Sequence, residues 1–93
     1  MDQPTAAKDT IRLYTTAWCG DCRDAKEFLR ARGVAYEEID IDEDLDAEEL
    51  VLRVNDGRRK VPTIQYGDRY FACSPFDPKQ LATELNLPLN GRR

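Results

Sequence analysis

Ile11-Arg12-Leu13-Tyr14-Thr15-Thr16-Ala17-Trp18-Cys19-Gly20-Asp21-Cys22 is the stretch that decides the fold. Ile11 to Tyr14 is a short run of β-branched and aromatic residues and reads as a strand. Trp18 to Gly20 reads as a turn. From Cys22 the apolar residues Cys22, Ala25, Phe28 and Leu29 fall on one helical face. Arg30 and Arg32 complement the dipole of the last turn, and Gly33 suits a left-handed stop. The spacing therefore predicts a helix from about Gly20 to Arg32. Two cysteines three positions apart sit where the strand bends into that helix.

Working outward, Tyr36 to Ile41 reads as a second strand. Its alternation is imperfect, because Tyr36 and Ile39 have opposite parity. A bulge, or burial on both faces, would explain that. The acidic stretch Asp40 to Asp46 follows. Asp46 reads as an N-cap with Glu49 as capping-box partner, and Leu45 and Leu50 take the staple positions. Ala47, Leu50, Val51 and Val54 supply the buried stripe, and Gly57 ends the helix. Val61 to Tyr66 and Arg69 to Ala72 read as two strands joined by Gly67-Asp68. Asp77-Pro78 opens a last helix, with Pro at N1 and Gln80 at N3. Phe76 and Leu81 repeat the staple spacing. Leu81, Ala82 and Leu85 face the core, and Pro88 blocks continuation. The order is β-α-β-α-β-β-α. A crossover helix implies a parallel pair and the hairpin an antiparallel one. The expected fold class is α/β, a four-stranded mixed sheet flanked by three helices.

Ninety-three residues allow one domain, spanning residues 1–93, with a core of about 10–87 and polar tails at 1–9 and 90–93. Hydrophobic residues make up 41% and charged residues 34%, enough for one small core under a charged surface. No apolar run reaches the roughly 18 residues of a membrane span, and residues 1–9 lack a signal-peptide core. A cytoplasmic, membrane-free monomer is expected. Fourteen basic against 18 acidic residues, a net charge of -4, argue against nucleic acid as partner. There is no histidine, which removes Cys–His and Ser–His–Asp catalysis and imidazole-bound zinc. Three cysteines build neither a disulfide scaffold nor a four-cysteine metal site, so no metal is expected.

Redox use of the cysteines remains. Cys19 lies where unpaired helix N–H groups point outward, and these favour a thiolate. The thiolate is the attacking species. Cys22, one turn further in, is placed to attack a mixed disulfide formed on Cys19. Cys19 and Cys22 are thus the candidate catalytic pair and can close a small disulfide. Two competing readings are a pair of buried structural cysteines and half of a zinc site shared between chains. Cys19 precedes the apolar stripe, against the first. No histidine or second Cys-x-x-Cys supports the other. A Cys-x-x-Cys at the first strand-to-helix turn of a βαβ pattern is a redox signal.

With these residues the chain resembles the glutaredoxin-like branch of the thioredoxin superfamily, and within it the mycoredoxin group. The resemblance rests on Tyr14 to Cys22, on Ala35-Tyr36-Glu37-Glu38-Ile39-Asp40-Ile41, on Val54-Asn55-Asp56-Gly57 and on Val61-Pro62-Thr63, in family order. It covers roughly Ile11 to Leu85. It implies a glutaredoxin-type thioredoxin fold and thiol–disulfide exchange, with oxidised proteins as substrates. The implied co-substrate is a low-molecular-weight thiol: mycothiol, bacillithiol or glutathione. An electron donor to one enzyme, itself fed by a thioredoxin-type reductase, and an iron–sulfur carrier are the alternatives. The resemblance further implies a cis bond at Val61-Pro62 beside Cys19, where an extended disulfide substrate can pair with the main chain.

Departures are visible. Lys60 stands where Thr commonly precedes the Val-Pro pair. Asp21 places a carboxylate between the cysteines, opposing an anion on Cys19, with Arg23 or Arg58-Arg59-Lys60 to offset it. Phe71-Ala72-Cys73-Ser74-Pro75 replaces the Gly-Gly pair of glutathione-using relatives, and the Trp-Ser-Gly-Phe stretch of ribonucleotide-reductase redoxins is missing. That replaced stretch lies on the side where relatives hold the small thiol. Ser74 is therefore a candidate thiol-binding residue. Cys73 is a possible extra thiol, read first as a small packed hydrophobe. Arg58, Arg59 and Lys60 are expected at the groove mouth, binding carboxylates of the small thiol or steering an acidic partner. Trp18 either shields the disulfide or anchors the core.

Overall fold

A computed structural model describes residues 10–87. Pro88 and the tails 1–9 and 90–93 lie outside the described residues. The chain runs β1 (Ile11–Thr15), α1 (Gly20–Ala31), β2 (Glu37–Asp40), α2 (Leu45–Val54), β3 (Thr63–Tyr66), β4 (Arg69–Ala72) and α3 (Pro78–Leu85). The sheet order is β2-β1-β3-β4. β1 pairs parallel with β2, with Leu13 opposite Glu38. It pairs antiparallel with β3, with Leu13 opposite Ile64. β3 and β4 form the expected hairpin, and Gly67 takes the positive φ of 64° that its turn requires. This is the β-α-β-α-β-β-α mixed sheet predicted above.

Successive residues of β1 point to opposite faces, and each face has its own core. Leu13 joins Ala25, Phe28 and Leu29 of α1 and Leu81, Ala82 and Leu85 of α3. Tyr14 joins Ala47 and Val51 of α2, together with Cys22, Ile41 and Val61. The sheet is thus sandwiched between two helices and one. Both faces converge on the end of β1 that leads into the cysteine turn.

Each helix start is explained by one side chain. Asp77 accepts from the N–H groups of Lys79 and Gln80, with Pro78 following it. Gln80 does not turn back to the cap. Its side chain donates to Ala72 O at 2.9 Å and ties α3 to β4. Phe76 packs against the cluster that holds Leu81, as its spacing predicts. α1 stops at Gly33, whose φ is 70°. There the N–H of Val34 reaches back to Leu29 O at 3.0 Å.

Three expectations are corrected. α2 starts at Asp44 rather than Asp46, and Asp44 accepts from the N–H of Ala47. The earlier start puts Asp46 and Glu48 in the first turn, where the dipole favours carboxylates. It leaves Leu45 79% exposed, so no staple forms. Leu50 and Val54 are only half-buried. Tyr36 lies outside β2, and the parity conflict disappears without a bulge. Val61 and Pro62 precede β3 instead of opening it. They are buried, and Pro62 has no N–H with which to extend the strand pairing.

Ion pairs sit on the outer strands. Arg12 meets Glu37 at 3.0 Å. Lys26 meets Glu38 at 2.9 Å, and Thr15 donates to the same carboxylate oxygen. Arg69 meets Glu84 of α3 at 2.9 Å. Thr16 carries a buried hydroxyl without a hydrogen-bond partner. Replacing such a group with an apolar one of the same shape removes a desolvation cost. Thr16→Val is therefore expected to stabilise the fold by about 1 kcal/mol. A denaturant midpoint at or below that of the parent would contradict this.

Candidate active site

Cys19 occupies the N-cap of α1, with φ −89° and ψ 116°. The helix leaves its first N–H groups without internal partners. One of them, the N–H of Cys22, donates to Cys19 Sγ at 3.0 Å. The sulfur therefore fills the capping role usually taken by a serine or aspartate oxygen. On its other side the Cys19 thiol approaches Val61 O at 3.6 Å. That carbonyl belongs to the cis Val61-Pro62 bond, which the resemblance implied and the structure contains. Cys73 N–H donates to Pro62 O at 2.9 Å, holding the segment from behind. The bond between Ser74 and Pro75 is also cis.

The three cysteines are free thiols with different surroundings. Cys19 is partly exposed. Cys22 is 1% exposed. Burial pushes its thiol up to about 12, and the hydrogen bond with Cys19 acts in the same direction. Cys73 is fully buried in the α1–α3 core. Burial pushes its thiol up as well. Its sulfur accepts from the N–H of Asp77 at 3.4 Å. The packed-hydrophobe reading of Cys73 fits this setting. The Cys19–Cys22 pair is asymmetric: one cysteine is half-buried at the head of the helix and the other is almost fully buried one turn in.

The other candidates separate. Trp18 is 72% exposed, so it is not a core anchor. With Thr16, Ala17, Cys19, Gly20, Arg23 and Lys26 it lines a cleft of about 440 Å³. Arg59 is engaged elsewhere: it pairs with Glu48 at 2.8 Å and with Asp42. Arg58 is exposed, and Lys60 and Ser74 are half-buried. Lys60 contributes its carbonyl, which accepts from the Thr63 hydroxyl at 2.7 Å. The cations lining the cleft at Cys19 are Arg23 and Lys26 rather than the Arg58-Arg59-Lys60 run. Helical spacing carried the signal, since positions 19, 23 and 26 share one side of a helix. No group of three or more His, Cys, Asp or Glu suited to a metal ion occurs among the described residues. No helix among them is long and apolar enough to cross a membrane.

The sequence profile of the glutaredoxin family matches residues 11–71. Mycoredoxin 1 of Corynebacterium glutamicum is 40% identical over 72 residues, covering 77% of this chain and 89% of that protein. Among solved structures, a mutant form of the thioredoxin-like protein BC3987 superimposes with a TM-score of 0.73 at 32% identity, covering 85% of this chain and 97% of that one. The glutaredoxin-like NrdH-redoxin of Escherichia coli gives a TM-score of 0.60 at 32% identity, covering 68% and 80%. A thioredoxin-like sheet, a half-open sulfur capping its first helix and a family profile over most of the described chain converge. The chain belongs to the glutaredoxin family.

Proposed function

We propose that the protein is a cytoplasmic thiol–disulfide oxidoreductase acting through Cys19-Gly20-Asp21-Cys22. Its substrates are protein disulfides and protein mixed disulfides with a low-molecular-weight thiol. The observation that carries this is Cys19 Sγ between the N–H of Cys22 and the carbonyl of Val61. The helix N-terminus presents N–H donors to the attacking sulfur, and the Val61 main chain offers an edge to an extended substrate. Cys19 attacks one sulfur of the substrate disulfide. A Cys19–substrate bond forms, the old S–S bond breaks, and the departing thiolate takes up a proton. Cys22 then gives up its proton and attacks Cys19. This closes a Cys19–Cys22 disulfide and frees the second substrate thiol. Two electrons pass from the pair to the substrate. Alternatively, a free small thiol such as mycothiol, bacillithiol or glutathione resolves the adduct on Cys19.

Mycoredoxin 1 as a relative supports the small-thiol route. The second reading is an electron donor fed by a thioredoxin-type reductase. It is favoured by the missing Gly-Gly pair and by NrdH-redoxin, a glutaredoxin-like protein with a thioredoxin-like activity profile. Cys22→Ser separates the two routes. The variant is expected to lose reduction of protein disulfides while retaining removal of a small thiol from a mixed disulfide. Loss of both activities restricts the protein to the dithiol route. Retention of both removes Cys22 from the mechanism. Recycling of the parent with each reductant in turn then separates the small thiols from the reductase.

A further inference from the structure

Lys60 and Thr63 bracket the cis Val61-Pro62 pair, and one hydroxyl joins them. Thr63 is fully buried. Its Oγ1 donates to Lys60 O at 2.7 Å. A hydroxyl has one proton to give, so this bond fixes the direction of the next. Thr63 Oγ1 accepts from Asn55 Nδ2 at 3.0 Å. Asn55 is the C-cap of α2. The same amide nitrogen donates to Val51 O at 2.8 Å. A one-way chain of donors thus runs from Asn55 through Thr63 to the carbonyl just before Val61. Between Lys60 and Thr63 lies the Val61 carbonyl that meets Cys19 Sγ. Nothing in the chemistry assigned to Cys19 and Cys22 uses these groups directly. Yet the two residues they enclose form the main-chain edge facing the nucleophile.

We infer that Thr63 and Asn55 are positioning residues: they hold the Val61 main chain at Cys19 and so set how tightly an extended, disulfide-bearing chain docks there. The inference rests on the proposed role of Cys19 and adds the device that prepares its docking edge. An edge that pairs through N–H and C=O groups tolerates little drift, because hydrogen bonds weaken steeply with angle. Letting Lys60 to Pro62 drift weakens docking before it affects the sulfur. A disulfide with no peptide main chain does not use the edge.

The test compares Thr63→Val, which keeps the shape and deletes the hydroxyl, with Thr63→Ser, which keeps the hydroxyl. Two substrates are used: a linear peptide disulfide and a small aromatic disulfide without peptide groups. Thr63→Val is expected to raise KM for the peptide about tenfold, the loss of one to two hydrogen bonds' worth of docking. Its kcat and its rate with the aromatic disulfide stay within about twofold of the parent. Thr63→Ser restores the peptide KM. If Thr63→Val fails to fold, Asn55→Ala takes its place in the same comparison. Equal peptide KM in parent and variant overturns the inference, as does parallel loss on both substrates. If the parent does not reduce the peptide, the functional reading has failed instead. The positioning claim is then judged on the carbonyl carbon resonance of Val61, expected to move in Thr63→Val and return in Thr63→Ser. An unmoved resonance overturns it.

Discussion

Cys19→Ser lowers disulfide reduction by at least about a thousandfold, because a serine hydroxyl does not ionise in the working range and leaves no attacking anion. The loss is not made good by the neighbouring sulfur. Cys22 is 1% exposed, and its thiol is pushed up to about 12 by burial. It is both out of reach and protonated. The serine still accepts from the N–H of Cys22, since serine is a favoured N-cap. The fold should therefore survive, with a thermal midpoint close to the parent's. Turnover of a peptide disulfide under NADPH-coupled recycling is the measurement. Residual activity within tenfold of the parent removes Cys19 from the role given to it here.

The second large effect is on stability in alkali. Cys22 moves from an ordinary value of 9.0 to about 12 on folding, chiefly through burial. Below 9 both folded and unfolded chains keep the proton, and the full stabilisation is present. Between 9 and 12 the unfolded chain loses it while the folded chain retains it, so unfolding releases a proton. Stability then falls as pH rises, by about 1.4 kcal/mol per unit for this group. Over the whole window the loss is on the order of 4 kcal/mol, a large share of what a small domain possesses. Guanidinium midpoints of the reduced protein at about pH 8 and 10.5 should fall more steeply for the parent than for Cys22→Ala, by about 2 kcal/mol. Cys73, also pushed up by burial, contributes with the same sign in both proteins. Equal slopes would mean that Cys22 titrates as if exposed.

Local signals in the sequence carried most of the fold. Gly67-Asp68 between two short apolar runs marks a hairpin wherever it occurs. Asp77-Pro78 marks a helix start without help from the rest of the chain. The errors fall where two local solutions are nearly equal. Asp44 and Asp46 both suit an N-cap, and the choice depends on how Ala47 and Val51 meet the sheet. The cysteine pair was legible because its chemistry depends on a local bend and a local spacing. Its surroundings were not. Arg59 belongs to a dense basic run in sequence, yet Asp42 and Glu48 capture it from segments 17 and 11 residues away. Asn55 and Thr63 look like an ordinary cap and an ordinary strand residue. Their connection exists only once α2 and β3 are packed together.

The ion pairs along the margins of the sheet have a consequence beyond their small individual energies. β2 and β4 are its outer strands, and outer strands are the natural templates on which further chains add and fibres grow. β2 is flanked by Arg12–Glu37 and Lys26–Glu38, and β4 by Arg69–Glu84. An incoming strand at either margin would have to strip water from these charges or pull them apart. Under the proposed function, the chain welcomes extended polypeptide at one spot while these charges guard its flanks against recruiting its own copies.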